Sequence, residues 1–297
     1  MGKRGMKRHY MNFAPVLFVF LWSTGFIGTK LGIPYAEPLT FLFVRFFIAS
    51  TLLLLLVPIL KEPWIRNGWH MAHSAVVGVL LHGCYLGGVF IAIDRGVDAG
   101  FSSLVVGLQP LFTVLLASVW LNESITQRKM LGIILGLLGV LVVVVDRGFS
   151  VQGLDGIGFA FCLLALMGIT TATLYQKRYC ADIPMVSGAA VQYLAVAIVV
   201  LPMALVIENN HIQWTPTFIF ALGWLVIVLS MGAVLLLMLL LRRGEAGNVA
   251  SYFYLVPPVV AVEAWLLFDE QLTPIAMMGF VLCALGVALV VRQPLRR

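Results

Sequence analysis

Arg45 and Gln192 are long polar side chains set in apolar stretches, and they lie 147 residues apart. An ionisable group in hydrocarbon is costly unless it is paired, hydrated or able to reach an interface. Arg45, roughly 12 Å along its span at 1.5 Å per residue, can meet an anion or carboxylate in a cavity. It can equally hold the carbonyls of a neighbouring helix, and a matched pair suits scaffold as well as site. Glu263 has no acidic counterpart, its partner at the same offset being Leu116. It is the best-placed carboxylate to carry a coupling proton, unless the outer interface keeps it hydrated. Lys30 matches Lys177, and both can snorkel to opposite interfaces.

Neutral groups add to this set. His82 and Tyr85, three apart, share a helical face. Trp22-Ser-Thr-Gly25 puts an aromatic ring beside small hydroxyls. Gln109-Pro110 and Val256-Pro257-Pro258 are matched helix breaks, because proline removes a backbone donor and frees the carbonyl four residues earlier. Such breaks survive at membrane depth where neighbours or a wet cavity satisfy the backbone. Ser251, Tyr254 and Pro258 fall on one face beside the second break. Each of these has a plain packing explanation; together they point to a polar-aromatic cavity.

Other chemistries lack their motifs. There is no G-x-x-x-x-G-K-[ST], H-E-x-x-H or G-x-S-x-G, which removes P-loop ATP hydrolysis and weakens protease or esterase readings. His70 and His73 have a spacing that can bind metal, but they sit where a helix meets the interface, and no metal site is expected. Cys84, Cys162, Cys180 and Cys283 lie in apolar segments without CxxC spacing, so they read as small packing residues. No cofactor is expected.

The elements that position these groups are set by composition. Apolar residues make up 61% of the 297 and charged residues 11%, with a mean hydropathy of +1.03. Long apolar runs between charge clusters predict an all-α polytopic membrane protein. Ten spans are expected, at about 12–30, 37–59, 70–93, 99–121, 127–146, 154–176, 184–207, 216–241, 247–268 and 273–291. The basic start before the first run resembles a signal-peptide n-region. Trp22, Lys30 and the lack of a nearby cleavage site make it a retained span.

Charge fixes the expected orientation. With the N-terminus in the cytoplasm, 15 of the 19 Lys and Arg fall on the cytoplasmic side, and the C-terminus is cytoplasmic too. The basic residues are scattered over short loops, so no nucleic-acid surface is implied.

The chain repeats at an offset of 147. Asp98-Ala99-Gly100 reads against Glu245-Ala246-Gly247, Pro110 against Pro257, Glu123 against Glu270, and Gly139-Val140 against Gly286-Val287. Each repeat holds five spans, an odd number, so the two must be inverted: helices 1–5 in residues 1–146 and helices 6–10 in 147–297. Thr126 and Thr273 fit as N-caps of spans five and ten. Gly132, Gly136 and Gly139, with Gly279 and Gly286, form small-residue faces for tight helix packing or a homodimer.

Leu21-Trp-Ser-Thr-Gly-Phe-Ile with Lys30, Val44-Arg45-Phe, and the run from Pro110 through Glu123 to Gly139 resemble the EamA-type branch of the drug/metabolite transporter superfamily. The pattern recurs at Pro257, Glu270, Gly279 and Gly286, covering nearly the whole chain. The resemblance implies a ten-helix transporter of inverted repeats that works by alternating access in the bacterial inner membrane. It implies a central cavity built by helices one, three and four and by six, eight and nine. Here that cavity would include Trp22, His82, Tyr85, Gln109, Tyr175, Tyr252 and Tyr254. The second half departs from the pattern, with Ile169 for Trp22 and Gln192 for Arg45.

The expected function is secondary transport of a small molecule, with proton coupling open. Export of amino acids or related metabolites comes first. Export of cationic drugs, or import of a sugar or nucleoside, is the alternative. A membrane-embedded enzyme would need clustered carboxylates or histidines at one interface, and the sequence has none.

Overall fold

The computed structural model describes residues 3–120, 126–146, 156–243, 252–269 and 273–291, and nearly all of them are helical. Ten helical units follow in order. α1 is Lys3–Gly32, α2 Pro38–Ile59, and α3 Gly68–Asp94; α4 is broken into Ala99–Val106 and Gln109–Trp120. α5 is Gln127–Asp146, α6 Gly156–Tyr179 and α7 Met185–Ile207. α8 covers 216–243, α9 is Val256–Phe268 and α10 Pro274–Val291. Among the described residues seven helices are long and apolar enough to cross a bilayer, and shorter apolar helices lie in α5, α9 and α10.

Apolar side chains face outward as well as inward, as lipid requires. On α2, Phe41, Leu42, Phe46, Ala49 and Leu53 are buried, whereas Leu55 and Ile59 are exposed. With no water-driven collapse inside lipid, close backbone approach holds the helices together. A Cβ on Gly139 would lie 2.6 Å from the Gly279 carbonyl, and one on Gly286 would lie 2.5 Å from the Gly132 carbonyl. α5 and α10 therefore cross antiparallel through their glycine faces, with the Cys283 thiol donating to Gly136 O at 3.4 Å. The small-residue faces are used within one chain.

α2 and α7 are matched helices that also run antiparallel, and a carboxylate ties each end. Glu62, after α2, accepts from the backbone N–H groups of Met185, Val186 and Ser187 at 2.8, 2.8 and 3.0 Å. Glu208, after α7, accepts from those of Leu39 and Thr40, each at 2.7 Å. Each repeat thus caps the exposed amino end of a helix in the other, where free donors and the helix dipole favour an anion. Inversion of the repeats is visible in both pairs.

The breaks repeat as well. α4 kinks at Gly107–Leu108 and resumes at Gln109, while a 3-10 turn at Phe253–Leu255 leads into Val256, 147 residues later. Pro110 and Pro257 take the second position of the resumed helix, where the missing N–H costs nothing. The two kinks touch, since a Cβ on Gly107 would lie 2.5 Å from Pro257 Cγ. In the ninth span Tyr252 is helical, a 3-10 turn covers Phe253–Leu255 and helix resumes at Val256; residues 247–251, including Ser251, lie outside the described set. So do Glu123 and Glu270. Thr273 caps α10, accepting from Ala276 N at 3.0 Å.

One shared device was not expected. α3 widens into a π-helical segment at Val79–Leu86, and α8 does so at Leu225–Ala233. The first, shifted by 147, falls on 226–233. Such segments are rare in helices and occur often at functional sites.

Candidate functional site

The π-helical segment of α3 carries His82 and Tyr85 into the middle of the bundle, against Trp22 of α1 and Arg45 of α2. Trp22, Gly25, Phe26 and Thr29 form one stripe of α1, at the i, i+3, i+4, i+7 spacing of a helical face. With Leu81, His82, Tyr85 and Leu229 they line a narrow cavity. Its walls are aromatic. Trp22 Nε1 donates to the Tyr85 hydroxyl at 3.0 Å with the two rings near parallel, and Phe253 closes edge-on against Trp22.

Arg45 is the cavity's cation. It is 2% exposed. Its Nε donates to Ser230 Oγ, in the π segment of α8, at 3.1 Å. No carboxylate among the described residues pairs with it. Phe90 lies 6.0 Å from the guanidinium carbon. Tyr193 donates to the Ser230 carbonyl at 3.2 Å and stacks on His82 at 4.1 Å. His82 is fully buried, and neither of its ring nitrogens has a hydrogen-bond partner. A buried charge and an unpaired imidazole on one cavity wall are expensive to keep. They are the arrangement expected of a surface that a polar ligand completes.

Gln192, the partner of Arg45 in the repeat, is also buried but does something else. Its Nε2 donates to Gln176 Oε1 at 2.9 Å, closing a side-chain pair between α7 and α6. Gln192 is tied to a neighbouring helix, whereas Arg45 lies on the cavity wall.

The other expected residues spread out. Gln109 Nε2 donates to Thr173 Oγ1 at 3.0 Å, tying α4 to α6. Tyr175 bonds His73 Nδ1 at 2.7 Å, in an aromatic group with Trp69 and Tyr179 at the α3–α6 end of the bundle. Tyr252 is half-buried and packs against the core; nothing is described of the Tyr254 side chain. Pro258 lines a second, smaller space with Pro257 and Phe280. Lys30 sits 4.7 Å over the ring of Phe268. Glu263 accepts from Ser23 Oγ at 2.9 Å, and its other oxygen is buried without a partner. Among the described residues no three His, Cys, Asp or Glu converge as a metal site, and all four cysteines are free thiols.

Ser230, Tyr193 and Phe253 escape the sequence reading. Tyr193 adjoins the flagged Gln192, which is a weak signal. Ser230 and Phe253 carry none, because their roles depend on where the wide turn and the kink place them.

A family model described as the EamA-like transporter family matches residues 10–145 and 156–292. The chain is 28% identical over 289 residues to an uncharacterized transporter, YvbV, of Bacillus subtilis (strain 168), covering 92% of this chain and 88% of that one. It is 26% identical over 282 residues to a probable amino-acid metabolite efflux pump of Escherichia coli (strain K12), covering 92% and 91%. A crystal structure at 17% identity superposes with a TM-score of 0.69, covering 94% of this chain and 96% of the other; at that identity the likeness is one of fold.

Proposed function

Since the chain belongs to the EamA-like transporter family, we propose that this multi-pass membrane transporter exports amino acids or related small metabolites by alternating access. The observation that carries the reading is Arg45, a buried cation without an acidic partner among the described residues, on the wall of an aromatic cavity. A guanidinium in low dielectric favours an anionic group, and a carboxylate meets it through charge-assisted and often paired hydrogen bonds. The same charge repels cationic drugs. The relative named as a probable amino-acid metabolite efflux pump supports the class of cargo.

Alternating access is supported by antiparallel repeats that meet at touching kinks, because rocking one half against the other exchanges two near-equivalent states. The repeats divide near residue 147. The basic bias of the odd-numbered entries and even-numbered exits supports cytoplasmic termini and the bacterial inner membrane as the site of action.

Glu263 is the proposed proton carrier, since it is the acidic residue farthest from any helix end and Ser23 engages only one of its oxygens. The test is counterflow in proteoliposomes with labelled amino acids and their metabolites, with and without an imposed proton gradient. Saturable exchange, accelerated by the gradient in wild type and gradient-blind in Glu263→Gln, is expected. No exchange of any solute would reject the transport assignment, and unaltered gradient dependence in Glu263→Gln would reject the carrier role.

A further inference from the structure

We infer that the cargo is an apolar, preferably aryl-bearing carboxylate with no free ammonium group: a deaminated or N-acylated relative of an amino acid. The inference rests on the transport reading above and narrows its cargo.

The argument is one of charge balance. Arg45 gives the cavity a single positive charge, and no Asp or Glu lines it. Binding a monoanion brings the site to neutrality. Binding a zwitterion leaves it at one positive charge, with an ammonium held close to a guanidinium in a medium that screens little. Binding a cation leaves two. Each uncompensated charge in a desolvated site is strongly unfavourable.

Glu263 does not supply the missing anion. It is held by Ser23, whereas the cavity face of α1 runs through Trp22, Phe26 and Thr29. Successive helical residues are about 100° apart at 3.6 per turn, so Ser23 and its carboxylate point around the helix from the cavity. The remaining wall is aromatic and aliphatic, which rewards an apolar body on the ligand. The His82 ring nitrogens, buried without a partner, suit a polar oxo or acyl group beside the carboxylate.

Four probes of one shape decide it: 3-phenylpropanoate, phenylalanine, phenethylamine and 3-phenylpropanamide, titrated into the purified full-length protein. The carboxylate is expected to bind about tenfold or more tightly than the zwitterion and the amide, with the amine weakest. In Arg45→Gln the carboxylate and the amide should come within about twofold of each other, and Arg45→Lys should restore part of the gap. The wild-type series decides even if the variants fail to fold. Equal or tighter binding of phenylalanine, tightest binding of phenethylamine, or no binding of any probe to protein with an intact melting transition would overturn the inference. Counterflow separates the two readings: transport of zwitterions without carboxylate preference ends the charge argument alone. Carboxylate binding with no transport of any solute ends the transport reading alone.

Discussion

At the four positions where the first half carries Trp22, Arg45, His82 and Tyr85, the second half carries Ile169, Gln192, Leu229 and Gly232. The backbone around them is matched to within a residue: the same π-helical widening, the same kink before a proline, the same antiparallel partners. Only the side chains differ. Most of the polar and aromatic groups that line the cavity belong to the first half, while in the second Ile169 is fully buried and Gln192 is closed onto Gln176. The scaffold keeps its symmetry, while the polar and aromatic side chains of the candidate cavity come mainly from one half. A fold of this kind can change cargo without changing mechanism.

The sharpest way to break that comparison is to trade the roles of the matched pair. Arg45→Gln should lower transport efficiency about 100-fold, as expected for losing charge-assisted bonds to cargo, whereas Gln192→Asn should leave it within about threefold. Equal losses in counterflow would mean the halves share the site.

Next in size is a contrast between two helix seams. A Cβ on Gly78 would lie 2.3 Å from the Gln192 carbonyl, whereas one on Gly25 would meet only the Leu229 side chain at 3.2 Å. Backbone cannot yield as a side-chain tip can. Gly78→Ala should therefore cost about 2 kcal/mol and Gly25→Ala well under 1 kcal/mol, read as melting temperatures in detergent. A reversed order would place the rigid seam elsewhere.

The smallest effect concerns the reciprocal caps. Glu62→Gln and Glu208→Gln should each cost about 1 kcal/mol. The double variant should show their sum, because the caps lie at opposite ends of a helix pair. A large coupling in the cycle would mean that the two ends communicate.

Much of this scaffold was legible because it is written in local residue types. Continuous apolar runs gave the helices, proline marked both kinks, Thr273 marked a cap, and the glycines of α5 and α10 marked the tightest crossing. The candidate cavity was partly legible too, since Trp22, Arg45, His82 and Tyr85, which line it, are unusual residues for their setting. What stayed hidden depends on distant partners. That Gln109 bonds Thr173 and Tyr175 bonds His73 cannot be read from either residue's own surroundings in the sequence. Ser230 looks like any small residue in a membrane helix until a wide turn aims it at Arg45, 185 residues away.

The crossed glutamates also bear on how the chain is made. Leu39 and Thr40 emerge from the ribosome early, yet the carboxylate that satisfies them belongs to Glu208, 169 residues behind Leu39. Until that residue arrives, the head of α2 must borrow water or lipid headgroups for its donors. The amino-terminal half therefore cannot reach its final bonding state alone. Biogenesis becomes a handshake, in which the second half of the nascent chain completes the first.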